Sequence, residues 1–83
     1  MNPLYGNWLL TPGVTSVTVT FSGGSGKPVG GMGSIMAKGS STSIQATLDH
    51  KTLTPTSATF YFTSAIPNDG NEYKLFFFIG LPL

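Results

Sequence analysis

The chain has no cysteine, which excludes disulfides and any cysteine-ligated zinc site; a lone histidine, His50, leaves little to build a histidine-based site from. Charge is equally scarce. Charged residues make up 8% of the 83, the net charge is +1, and the basic side chains are all lysine (Lys27, Lys38, Lys51, Lys74), with no run or stripe among them. A nucleic-acid partner therefore has no electrostatic footprint. No window repeats apolar residues every 3.6 positions, and Gly or Pro interrupts most stretches long enough for a helix. The start has no positive segment followed by an apolar stretch, so it does not read as a secretory signal. The apolar tail, residues 75–83, is about half the roughly 20 residues that a membrane-spanning helix needs. These absences point to a soluble, cytosolically made protein with no membrane insertion. A chain of 83 residues suffices for one compact domain, here 1–83. So small a core is thinly stable without a further device, and with disulfides and metal set aside the device left is oligomerisation.

What the sequence does contain is alternation. Six segments repeat apolar residues with the two-residue period of a β-strand: residues 5–10, 15–21, 29–37, 43–48, 57–64 and 73–80. The second is the clearest, sending Val17, Val19 and Phe21 inward and Ser16, Thr18 and Thr20 outward. The fourth buries Ile44, Ala46 and Leu48; the fifth sets Ala58, Phe60 and Phe62 against Thr59, Tyr61 and Thr63. The third carries Gly30, Gly31 and Gly33, which predicts a bulge or a close approach to another backbone. Turn residues separate the segments at Thr11-Pro12-Gly13, residues 22–28, 38–42, 49–53 and Pro67-Asn68-Asp69-Gly70. The pattern predicts an all-β protein, a single six-stranded antiparallel β-sandwich. Antiparallel succession then puts the termini, the glycine loop and the Asp49 turn at one end, and the Pro12, Lys38 and Asn68 loops at the other.

The final segment, "EYKLFFFIGLPL", is apolar on both faces. Tyr73, Leu75, Phe77 and Ile79 alternate with Lys74, Phe76, Phe78 and Gly80, and one domain core can cover only one set. The first set fits the intramolecular core with Val17, Val19, Phe60 and Phe62, leaving Phe76, Phe78 and Gly80 for neighbouring protomers, Gly80 by admitting a backbone closely; alternation alone equally allows the two faces to exchange these roles. Pro82 ends the ladder before it recruits another strand.

Sites for chemistry are few. Gly26-Lys27 is followed by Pro28 and a strand, whereas a phosphate loop needs Ser or Thr and a helix there. His50 lies in a predicted turn without a nucleophile or an orienting group, and no serine sits in a Gly-x-Ser-x-Gly elbow, so catalytic residues and enzyme activity are not expected. Asn68, Asp69, Asn71 and Glu72 lack calcium-loop spacing and are explained by turn chemistry; neither metal nor cofactor is called for. Among the amphipathic aromatics, Trp8 reads as core. Tyr61, on the polar side of its strand, is a better surface contact than Trp8.

Taken together, "GVTSVTVTFSGG" (13–24), Pro28-Val29, the threonine-rich approach 53–63 and the closing strand 73–80 resemble the small β-sandwich domains at bacteriophage tail-fibre tips and in related lectin-like proteins. The resemblance covers most of the chain, though such domains usually carry bulky residues where Gly30, Gly31 and Gly33 stand. It implies a threefold homo-oligomer, located in the virion with other virion subunits, that contacts a host-surface receptor, a glycan. The contacts implied for the distal loops are Lys38, Ser40, Asn68, Asp69 and Asn71, with Tyr61 beside them. The competing expectation is a structural protein with no ligand, a capsid decoration or fibre trimerisation module.

Overall fold

The structure is a computed structural model that describes residues 2–22, 28–38 and 42–81; Ser40, Lys27 and Pro82 lie outside the described residues. These residues form six strands, β1 (Asn2–Leu9), β2 (Ser16–Thr20), β3 (Gly30–Ala37), β4 (Ala46–Asp49), β5 (Ser57–Phe62) and β6 (Tyr73–Leu81). A single 3-10 turn, His50–Thr52, follows β4, opened by the Asp49 carboxylate accepting from the Lys51 N–H at 3.0 Å. The strands make two antiparallel sheets of three, in the orders β1-β6-β3 and β2-β5-β4, so the all-β antiparallel expectation holds.

Strand limits differ from the sequence expectation where side chains take over the ladder. β1 starts at Asn2 rather than at residue 5, and Pro3 pairs opposite Gly80; an edge strand tolerates a residue with no N–H. β4 starts at Ala46 rather than 43, because the Gln45 N–H donates to the Thr63 hydroxyl at 3.0 Å where a ladder would offer a carbonyl. β3 has no bulge: Gly30 to Ala37 pair one for one with Gly80 to Tyr73. The second half of that expectation is what occurs. A Cβ on Gly31 would lie 2.5 Å from the Phe78 carbonyl oxygen, and one on Gly33 would lie 2.9 Å from Leu75 Cδ1 and 3.1 Å from Phe60 Cε2. The glycines are what let the large residues of β6 and β5 fill the interior.

One cluster is buried by both sheets. Val19, Ala58 and Phe60 from the second sheet and Ile35, Tyr73, Leu75, Phe77 and Ile79 from the first belong to it, with Leu10, Leu53 and Ile66 from the connections. Val17, Phe21, Ile44, Ala46, Leu48, Phe62 and Trp8 pack against it while partly exposed. The Phe60 and Phe77 rings meet across the sheets with centroids 6.3 Å apart. Of the two faces of β6, the one carrying Tyr73, Leu75, Phe77 and Ile79 is therefore the core face.

The ends of the molecule follow the expected succession. Leu10 N–H donates to the Tyr73 carbonyl at 2.9 Å, Gly13 N–H to Ile66 at 2.7 Å and Lys38 N–H to Glu72 at 2.8 Å, which gathers the Pro12 turn, Lys38 and the loop before β6 at one end. At the other end Asn2 pairs with Leu81, and His50 Cε1 approaches Gly30.

Candidate functional site

The outward side chains of the first sheet stand in matched rows. Register places Tyr5, Phe78 and Met32 in one row, Asn7, Phe76 and Ser34 in the next, and Leu9, Lys74 and Met36 in the third. Tyr5 is 72% exposed, Met32 69%, Leu9 61%, Met36 57% and Phe76 43%. Phe78 is half-buried because the Tyr5 ring meets it edge-on, with centroids 5.3 Å apart and planes at 64°. A shallow depression of about 310 Å³ opens between Tyr5, Met32, Ser34, Phe76 and Phe78. At roughly 100 Å² for each of the five most exposed side chains, the apolar face amounts to about 500 Å², the upper end for a single patch on a soluble monomer.

Among the described residues, charge touches this face at one end. Lys74 Nζ lies 3.7 Å from Glu72 Oε1, both partly exposed, and with Lys38, Met36 and Phe76 they border a second depression of about 230 Å³. An exposed pair of this kind contributes little to stability. The opposite end of the face is Gly80 between Pro3 and Gly30. Gly80 is buried within the chain, and its carbonyl accepts from the Val29 N–H at 2.8 Å, which extends the β3–β6 ladder in the plane of the sheet.

The loop residues expected to bind are partly brought together. Lys38, Asn68, Asp69 and Asn71 share the end with the Pro12 turn; Ser40 is outside the described residues. Asp69 is exposed but occupied: Oδ1 accepts from the Asn71 N–H at 3.1 Å and Oδ2 from the Tyr73 hydroxyl at 2.9 Å. The Asn71 backbone bond first, and the Tyr73 hydroxyl second, hold the Asp69 carboxyl below the usual carboxylate range. Tyr61 stands apart, 50% exposed on the outer face of β5 between Ser16 and Thr47. Its surroundings are polar, with Thr18 and Thr59 hydroxyls bonded at 2.8 Å one row away.

Leu9, Met32 and Met36 were not anticipated as surface contacts. Their signal was present: Ile35 is apolar and β-branched, so alternation sends Gly33 and Gly31 inward with it and Met32, Ser34 and Met36 outward. Among the described residues no group of three or more His, Cys, Asp or Glu is placed to hold a metal, and no helix is long and apolar enough to cross a membrane. No protein-family model, curated protein or solved structure matches the chain.

Proposed function

We propose that the two sheets are the layers of a six-stranded β-sandwich, that three copies associate through the outer face of the first sheet, and that the assembly is a virion attachment domain of the phage tail-fibre-tip kind. It binds a host-surface receptor, a glycan, through the end carrying Lys38, Asn68 and Asn71. The observation that supports this most is the sidedness of the surface: five exposed large apolar side chains share one sheet face, while the polar loops collect at one end of it. An apolar patch at the upper end of the monomer range, gathered on one sheet face, is of the kind that marks an interaction site. Per-site glycan affinity is modest in this reading and is multiplied by the three copies facing one way.

Light scattering on the purified protein should give close to three times the chain mass; a monomer rules the assembly out. Glycan-array or cell-adsorption binding should be lost when Lys38, Asn68 and Asn71 are replaced by alanine together. Binding that survives the triple replacement rejects this placement of the site.

One observation favours the alternative of a structural protein without a ligand, a capsid decoration or fibre trimerisation module. Both carboxylate oxygens of Asp69, the one acidic side chain among the expected contacts, already serve the fold. This reading expects the chain on purified capsids or fibres and no adsorption to cells or sugars.

A further inference from the structure

Resting on the proposed association of copies, we infer which surfaces meet: the β1 margin of one copy docks on the β3 margin of the next with strands in the same sense, so that Tyr5 packs on the neighbour's Met32 and Leu9 on its Met36. The occupant of the apolar face is thus a second copy of this chain, joined head to tail around an axis along β6.

Two features of the face carry this. The first is complementarity between its margins. β1 presents an aromatic ring and a branched aliphatic side chain, β3 presents two thioethers, and the register sets them at equal heights, Tyr5 level with Met32 and Leu9 level with Met36. Unbranched methionine adapts to such partners and makes favourable sulfur–aromatic contacts. Only a same-sense arrangement keeps these heights matched from copy to copy. The second is where charge lies. Lys74, Glu72 and Lys38 all sit at the loop end. Same-sense packing gathers them at one open mouth where water still reaches them, whereas opposed strands would press each Lys74 toward the partner's Phe78 row and strip its ammonium of water. Each copy's face of about 500 Å² is divided between two neighbours, so one junction buries about 500 Å² and a pair of copies alone falls short of the roughly 1,000 Å² that a specific interface needs; the closed ring of three buries about 1,500 Å², which makes closure cooperative.

The absence of cysteine makes the test clean. Cysteine pairs at Tyr5 and Met32, or at Leu9 and Met36, cannot close within one chain, because β1 and β3 flank β6 and lie two strand spacings, roughly 9–10 Å, apart, beyond the reach of a disulfide at about 7 Å. Mild oxidation of Tyr5→Cys/Met32→Cys should therefore shift the chain on a non-reducing denaturing gel to a three-chain species and no further. The Leu9→Cys/Met36→Cys double variant should behave alike, and each single variant should stop at two chains at most. All four positions are exposed, so the variants should fold. Unlinked matched pairs in a preparation whose light-scattering mass is still that of an oligomer overturn the pairing and leave the association standing. Linkage of Tyr5→Cys/Leu9→Cys in place of the matched pairs overturns it too, since that pair meets only if two β1 strands run opposed. A monomeric mass in the unmodified chain removes the proposed assembly and this inference together.

Discussion

The two sheets are built alike and finished differently. Each has three antiparallel strands, with a middle strand that fills the core: Ala58 and Phe60 in one, Leu75, Phe77 and Ile79 in the other. Outward, the second sheet shows Thr18, Thr20, Thr47, Thr59 and Tyr61, hydroxyls that water or each other can satisfy. The first shows Tyr5, Leu9, Met32, Met36 and Phe76. Fold stability needs only the inward halves, which the sheets share. The outward halves answer to surroundings, and the contrast separates what the chain needs in order to fold from the face that the proposed association would cover.

The largest effect should come from the shared half. Phe77→Ser leaves a cavity and puts a hydroxyl beside Phe60, at a cost of about 3–5 kcal/mol, enough to unfold a chain of this size. Circular dichroism should show loss of both sheets in a single thermal transition. If the Ser16–Thr20 sheet survived alone, the single-core description would be wrong. Next in size is Gly31→Ala. The new methyl would stand 2.5 Å from a backbone oxygen of β6, which cannot rotate away as a side chain can, and the expected loss is about 1–3 kcal/mol. A denaturant midpoint equal to that of the unmodified chain would show that the β3–β6 contact has slack.

How much of this could be read in advance depended on whether a strand's side chains declare their face. Val17 and Val19, or Ala58 and Phe60, declare it, and those strands were legible with their inward sets. In β3 two of the inward positions are Gly31 and Gly33, which have nothing to declare, so Ile35 alone marks the inward face, a bulge was as good an expectation as a close approach, and the outward methionines went unnoticed. The two-faced character of β6 was legible, but not which residues of β1 and β3 extend its outward face, because that is a matter of register. Among the loop contacts, Asp69 looked available because its tie to Tyr73 spans from the turn into the next strand, and turn chemistry alone does not reveal it.

A smaller effect on the fold, with a larger one on association, should follow on the outer face. Phe76→Ser or Phe78→Ser is expected to cost the single chain about 1 kcal/mol or less while lowering the light-scattering mass to that of one chain. The matched control lies on the other sheet. Thr18→Val with Thr59→Val replaces both partners of one hydrogen bond by isosteres, a nearly neutral change, and should leave the mass unaltered. Equal destabilisation by Phe76→Ser and Phe77→Ser would erase the difference between the two faces of β6.

The smallest effect concerns the loop that leads from the second sheet to the first. The Asp69 carboxyl is depressed chiefly by the Asn71 N–H and then by the Tyr73 hydroxyl, with burial opposing weakly. Because the folded chain binds that proton less well than the unfolded one, the contribution is fully present above the unfolded value of about 3.9 and is lost as pH falls through the depressed folded value. Tyr73→Phe removes the second cause and keeps the first, so the folded titration should move back up toward the ordinary range and the acid window should narrow. A side-chain carboxyl titration followed by NMR in both proteins reads this directly. An unmoved Asp69 midpoint would mean that the hydroxyl contributes nothing there. In that case the carboxylate is free on its Oδ2 side, and the loop end regains the acidic contact that the fold had claimed.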